Sequence, residues 1–336
     1  MAKLPLKMGA EEIAMLRATA DTNPQVAFAA QKALAAALTE PLRKGIFDED
    51  NLVAGAGRIF EPHVLAPGAQ ANYQLDFVRP GTEDIDFTAI TMPKQGSVPT
   101  RHVEGDELWV PTYTIANGIS WSLDYARDAR WDVVARAIEV LRSGFVRKLN
   151  EDGWHTLLAA MDARNLIVSD SVAGVGQFTK ELVSKMKTAM TRNAGGNGQA
   201  GVLTDLYVSM EAVEDIRAWD EAEIDDVTRR EILQSAGTNM MRLYGVIIHA
   251  MTEFGVGQEY QNYIVNVLGR AVPANEQEFC VGIDKSTNDS FVMPVRRELE
   301  VYDNPHLHIQ QKAGLYAWQS QGFAVLDSRR VLGGTY

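Results

Sequence analysis

The feature that most constrains this 336-residue chain is a stretch without proline between residues 124 and 163. Within it Val134, Ile138, Leu141, Phe145 and Leu149 recur at steps of 4, 3, 4 and 4, which lays a single apolar stripe along a helix. About 40 residues at 1.5 Å each make a rod on the order of 60 Å long. Gly144 and Gly153 each cost such a helix about 1 kcal/mol relative to alanine, so bending is expected near them. A helix this much longer than average needs a reason. A coiled coil does not supply it, because the stripe is not sustained as a/d heptads with charged flanks.

The flanking segments differ in character. Residues 11–20 read as a short helix, and Asp21-Thr22-Asn23-Pro24 supplies a break, a cap and a proline at the first position of a second helix. Between Val26 and Leu38 seven of thirteen residues are alanine, which favours helix but offers little bulk, so this helix must pack on something else. Pro41 is expected to end it. From residue 64 to 115 Tyr73, Leu75 and Phe77 alternate with polar residues, and Ile85 and Phe87 begin the same pattern. Arg79-Pro80-Gly81, Met92-Pro93, Gln95-Gly96, Val98-Pro99 and Glu104-Gly105 separate the runs. This predicts strands in a long loop or ribbon with little body of its own to bury it.

After residue 165 the pattern is mixed. Residues 179–193 read as a helix, 194–198 as a glycine-rich loop and 206–209 as a strand, with Ser209 capping a helix over 210–219. Strands are expected at 244–249, 263–268, 279–283 and 291–302, then with interruptions over 306–326. Helices and strands arrive in blocks rather than as βαβ units, so the fold class is α+β.

Charge and composition close off several functions. Lys and Arg total 32 against 44 Asp and Glu, a formal net charge of -12, so a nucleic-acid role needs a local basic patch. Residues 211–231 hold nine acids and three arginines, contributing -6 of that total. A single cysteine, Cys280, excludes an internal disulfide framework and fits a reducing compartment. Lys3 and Lys7 are followed by Gly9, Ala10, Glu11 and Glu12 rather than the apolar core of a secretion signal. No run approaches the roughly 20 apolar residues of a membrane span, so a soluble protein made in a cytoplasm is expected.

The chemical motifs fail one by one. Gly196-x-Gly198-x-x-Gly201 has dinucleotide-fingerprint spacing, but a helix precedes it and a strand follows, the reverse of what the pyrophosphate site requires. Asp220, Glu221, Glu223, Asp225 and Asp226 could offer oxygen ligands, yet a calcium loop begun at Asp220 would place Ala222 and Ile224 at ligand positions and Asp225 at the central glycine. That segment reads as solvated. His306 and His308 would share one face of a strand, with Asp303 near, but no third histidine is close in sequence. His63, His102, His155 and His249 are scattered and read as structural or surface residues, and Cys280 as a buried inert thiol in a strand. No nucleophile elbow is present. No catalytic, cofactor-binding or metal-ligating residue is assigned, and no cofactor or enzymatic activity is expected.

The order of elements carries a resemblance that no single motif does. Helical arm, β-ribbon, very long helix, mixed domain and returning strands resemble tailed-bacteriophage major capsid proteins, the HK-ninety-seven type of coat-protein fold. Gln95-Gly96-Ser97-Val98-Pro99-Thr100, leading through Trp109-Val110-Pro111-Thr112-Tyr113-Thr114-Ile115 into Ile119-Ser120-Trp121-Ser122-Leu123, resembles the entry to that family's spine helix. Leu206-Tyr207-Val208-Ser209-Met210 resembles the strand-then-helix of its axial domain, Leu243-Tyr244-Gly245-Val246 its leucine-tyrosine-glycine step, and Gly322-Phe323-Ala324-Val325-Leu326-Asp327 its last peripheral-domain strand.

The resemblance implies an N-terminal arm over 1–60, an extended β-ribbon loop over 61–116 and a peripheral domain with the spine helix over 117–199. An axial domain over 200–290 and return strands of the peripheral domain over 291–336 would follow. It implies a shell subunit that self-assembles around packaged double-stranded DNA in a virion, built in the host cytoplasm. Its partners would be itself in hexamers and pentamers, with portal, scaffold or decoration proteins, and DNA held without sequence-specific binding or any membrane. An arm and ribbon that cannot bury themselves would gain stability by lying on neighbouring subunits. Some relatives weld subunits through a lysine–asparagine isopeptide bond, for which Lys94 and Asn304 are the candidates here. Two other readings stand beside this one: an encapsulin-like cellular nanocompartment, and a metal-dependent cytoplasmic hydrolase using the acids over 220–226 or the two histidines.

Overall fold

A computed structural model describes residues 10–21, 23–46, 55–74, 107–128, 131–165, 167–169, 176–193, 201–219, 240–271, 278–286 and 290–336. In chain order the elements are α1 (Ala10–Ala18), α2 (Pro24–Ile46), α3 (Ala56–Ile59), β1 (Glu61–Val64), β2 (Asn72–Gln74), β3 (Glu107–Trp109), β4 (Tyr113–Ser122), α4 (Leu123–Arg127) and α5 (Trp131–Arg164). Then come β5 (Ile167–Ser169), α6 (Lys180–Arg192), β6 (Asp205–Val208), α7 (Met210–Ala218), β7 (Met240–Leu243), β8 (Val246–Ala250), β9 (Phe279–Ile283), β10 (Phe291–Asp303), β11 (Lys312–Gln321), β12 (Ala324–Val325) and β13 (Val331–Thr335). They form two compact units, one drawn from residues 1–71, 110–153 and 293–323 and the other from 72–109, 154–292 and 324–336.

The first unit packs helices on one face of a sheet ordered β1-β10-β11-β4. The stripe Val134, Ile138, Leu141, Phe145 and Leu149 of α5 is buried and meets Trp121, Leu299, Val301, Ala313, Leu315 and Ala317 of the sheet. Burial of those five side chains contributes on the order of 10 kcal/mol. The long helix is interrupted, however. Ser122 caps α4 by accepting from the Asp124 N–H at 3.3 Å, α4 ends at Arg127, and α5 runs 34 residues from Trp131.

Two expectations for the N-terminal helices change. α2 continues past Pro41 to Ile46. The proline ring lies on the exposed side, where water can satisfy the carbonyl it leaves unbonded, while the next turn is held by tertiary contacts. Leu42 is buried, and the Arg43 guanidinium donates to the Leu299 carbonyl at 3.1 Å and pairs with Glu298 at 2.7 Å. Leu34, Leu38 and Leu42 also place a narrow stripe among the alanines, and with Leu16 of α1 it joins the same core as α5. The apolar stripe of these two helices is therefore buried within the first unit of the chain itself.

The second unit is a sheet ordered β5-β13-β9-β6-β8-β7, with β6 parallel to β8 and β13 parallel to β5. β6, β9 and β13 are buried throughout, as strands covered on both faces are. α6 contributes Leu182, Val183, Met186 and Met190 to the core, and α7 contributes Ala212, Val213 and Ile216. Thr179 and Ser209 cap these two helices by accepting from the N–H groups of Leu182 and Ala212. Tyr244 and Gly245, at φ of 52° and 81°, make the two-residue turn of the β7–β8 hairpin. The strand expected over 263–268 is instead a helical turn, Glu259–Asn262, running into a π-helical one, Tyr263–Val267. Tyr260 and Ile264, four residues apart, are both buried, and the Tyr260 ring stacks on Trp154 at 5.7 Å. Aromatic packing at helical spacing here overrides the β-branched composition.

β2 and β3 pair in register from Asn72↔Trp109 to Gln74↔Glu107, closing the base of the expected ribbon. The ribbon's body, residues 75–106, lies outside the described residues.

Candidate functional site

The residues singled out for chemistry do not converge. His306 and His308 sit on a 3-10 turn, Pro305–Gln310, rather than on a strand, so they do not share a strand face. The His308 ring packs edge-on against Phe28 at 5.5 Å. No group of three or more His, Cys, Asp or Glu suited to a metal is found among the described residues. Asn304 belongs to the turn: its N–H donates to the Gly314 carbonyl at 3.0 Å and its carbonyl accepts from Leu307. Cys280 is buried with Sγ 3.7 Å from the Met186 sulfur. Gly201 leaves no room for a side chain, since a Cβ there would lie 2.6 Å from the Met190 carbonyl oxygen. Its partners in the glycine motif, Gly196 and Gly198, together with Lys94, His102 and the acids over 220–226, lie outside the described residues.

The buried charged groups tie strands together. The Asp205 carboxylate meets His249 Nε2 at 2.7 Å and accepts from the Thr204 hydroxyl at 2.8 Å, linking the parallel strands β6 and β8. Burial pushes this carboxyl up, but those two hydrogen bonds together with the charges of Lys285 and His249 outweigh it and hold it below the usual range. Asp284 is likewise held low, burial being outweighed by hydrogen bonds from Ser286, the Val202 N–H and the Arg330 guanidinium. The Tyr336 hydroxyl donates to Glu278 and lies 2.8 Å from the Ser209 hydroxyl, and burial beside the Glu278 charge raises its phenol well above its ordinary value.

The surfaces are more informative. On the sheet face opposite α5, β10 and β11 align Tyr302 with Tyr316 and Glu300 with Trp318. The two tyrosine rings stack at 5.6 Å, Trp318 stands edge-on to both, and the Arg297 guanidinium lies 5.9 Å from the Trp318 ring centre. β4 places Gly118 and Ala116 beside Tyr316 and Trp318, so the aromatic ladder is bordered by small residues. Elsewhere Ile309 is 87% exposed, Val64 66% and Trp109 62%. On α6 a surface depression of about 540 Å³ is lined by Ser184, Lys185, Thr188, Ala189, Arg192 and Asn193. Sequence reasoning passed over both surfaces. Alternation in β10 and β11 carried the signal for the first, and the lysines of α6 the signal for the second. None of this geometry forms a nucleophile–base arrangement; it offers contact area.

No protein-family model matches the chain, and no curated protein matches it. Solved structures do. A chain from Microbacterium phage Oxtober96 aligns with a TM-score of 0.53 at 10% identity, over 84% of this chain and 90% of that one. The capsid of an empty GTA particle computed with C5 symmetry aligns with a TM-score of 0.52 at 12% identity, over 84% and 89%. The Cyanophage Pam1 capsid asymmetric unit aligns with a TM-score of 0.52 at 13% identity, over 82% and 88%. The chain shares its fold with these chains across most of both lengths.

Proposed function

We propose that this chain is a major capsid protein that self-assembles into an icosahedral shell enclosing packaged double-stranded DNA. The observation that carries the proposal is the fold match to the phage and GTA capsid chains across more than four-fifths of either chain. In that reading residues 1–60 are the arm, 61–116 the extended loop, and 117–199 with 291–336 the peripheral domain with the spine helix. Residues 200–290 are the axial domain. The subunit works by contact rather than catalysis, as hexamers and pentamers of itself with portal, scaffold or decoration proteins around it. It is assembled in the host cytoplasm and resides in the virion. The half-buried aromatic ladder and isolated exposed apolar side chains suit a subunit with several neighbours, because a shell multiplies modest contacts. Its interfaces are largely heterologous yet close on themselves. An encapsulin-like compartment and a metal-dependent hydrolase draw no support from these matches. Sedimentation and negative-stain microscopy of the purified chain are expected to show closed shells; monomers or dimers under all assembly conditions would overturn the proposal.

A further inference from the structure

A long strand at the edge of a sheet is normally guarded by a charge, a proline or a bulge. β4 has none of these. Its ten residues include no charged side chain and no proline, and its register with β11 runs unbroken from Tyr113↔Gln321 to Ser122↔Lys312. Among the described residues it pairs with β11 alone. The Leu123 N–H donates to the Gln311 carbonyl, one step beyond Ser122↔Lys312. Odd-numbered residues of β4 therefore bond to β11, and the N–H and C=O groups of Thr114, Ala116, Gly118 and Ser120 point to the open side. These four residues are exposed. Ile115 and Ile119, on the face turned to the core, are only half-buried, whereas Ala313, Leu315 and Ala317 of β11 are buried. Val140 of α5, one turn before the Gly144 that lies against Asn117, is 57% exposed.

The chemistry of this edge is the same in both directions. Thr114-Ile115-Ala116-Asn117-Gly118-Ile119-Ser120 places a small residue, an isoleucine and a hydroxyl residue on either side of Asn117. Two copies set antiparallel about an axis at Asn117 bring Thr114 against Ser120, Ile115 against Ile119 and Ala116 against Gly118. The hydrogen bonding agrees, because this register joins even-numbered residues to even-numbered ones, and theirs are the groups that point to the open side. No like charges meet across it. In the single chain Asn117 Oδ1 accepts from the Gly118 N–H at 2.9 Å, covering one edge group. Pairing hands that N–H to the Ala116 carbonyl of the second copy and frees the two Asn117 amides to bond one another.

We propose that β4 pairs with β4 of a second copy of this chain about a two-fold axis at Asn117, joining the two sheets into one. The pairing goes beyond the shell reading, since it needs only two chains. In a closed shell it becomes one of the isologous contacts that two-fold axes require.

Cross-linking of the full-length chain tests the register. At Asn117 the two Cα atoms form a non-hydrogen-bonded pair about 4.5 Å apart, within disulfide reach. Oxidised Asn117→Cys is expected to run as a reducible dimer on a denaturing gel. Thr114→Cys, whose two copies lie about 20 Å apart in this register, is expected to stay monomeric, as is the wild type with its single, buried Cys280. No dimer from Asn117→Cys, or an equal dimer from Thr114→Cys, overturns the proposal. A second pair of variants leaves Asn117 in place and alters only exposed side chains. Thr114→Lys/Ser120→Lys sets lysine against lysine at both ends of the pairing, whereas Thr114→Lys/Ser120→Glu sets lysine against glutamate. Light scattering is expected to find assembly beginning at a concentration at least about fourfold higher for the first than for the second. General repulsion in a chain of net charge -12 predicts the opposite order, since the first variant is the less negative. Equal or reversed thresholds overturn the pairing. Microscopy separates the two levels. Shells without the cross-link remove only the β4 contact, and a cross-linked dimer from a chain that never forms shells removes only the shell reading.

Discussion

Gly153 shows how one residue can be present for a reason its propensity conceals. A glycine in a helix interior costs about 1 kcal/mol relative to alanine, which on sequence alone suggests a site of bending. In the structure a Cβ at Gly153 would run into the side chain of Ala56 and touch the rings of Phe60 and Phe323 at 3.4 Å. α3 is pinned there, with the Ala56 N–H donating to Asn150 Oδ1 at 3.0 Å and Phe60 packed edge-on to Phe323 at 5.1 Å. Gly144 differs: the nearest atom to its Cβ is the terminal Asn117 amide nitrogen at 2.6 Å, which can swing away. Gly153→Ala is therefore expected to destabilise the subunit by about 1–2 kcal/mol, because overpacking outweighs the propensity gain. Gly144→Ala is expected to leave stability unchanged or raise it by up to about 1 kcal/mol. Denaturant unfolding of both variants checks the order, and the reverse order would return Gly153 to a bending role.

At the scale of elements, the N-terminal helices belong to the chain's own core. Leu34 of α2 is buried in the cluster that holds the α5 stripe, so Leu34→Ala is expected to cost about 2–5 kcal/mol in the unassembled chain. A loss below about 0.5 kcal/mol in denaturant unfolding would mean that the helix is held by neighbours instead. α5 was legible because Val134, Ile138, Leu141, Phe145 and Leu149 follow a 3.6-residue period that survives any choice of partner. Ser209 was legible as a cap for an equally local reason. The segment Tyr263–Val267 was not, since its β-branched residues spell strand while the burial of Tyr260 and Ile264 is decided by Trp154, more than a hundred residues earlier. Pro41 misled because its cost depends on which side of the helix faces water. The aromatic ladder stayed hidden for want of register: Tyr302 and Tyr316 become neighbours only once β10 and β11 pair.

For the whole molecule the question is which exposed apolar groups are incidental. Single apolar side chains at a surface are normal and prove nothing in a monomer. The proposed shell reading offers a sharper criterion, because a residue buried between subunits would change assembly without changing the fold. Ile309 is the side chain on which to test it, being 87% exposed on the turn between β10 and β11. Ile309→Ser is expected to alter subunit stability by no more than about 0.5 kcal/mol. If the side chain is buried at an interface, its loss removes about 1.5–3 kcal/mol per contact. Each 1.4 kcal/mol is a factor of about ten, so the concentration at which shells appear rises at least about tenfold, as a light-scattering series in subunit concentration would register. Charge repulsion between subunits of net charge -12 also sets that threshold, but salt screens it. Added salt should lower the threshold of wild type and variant alike and leave the gap between them intact. A gap that closes with salt would make the Ile309 effect electrostatic in origin, and a threshold that never moves would place Ile309 in solvent on the finished shell.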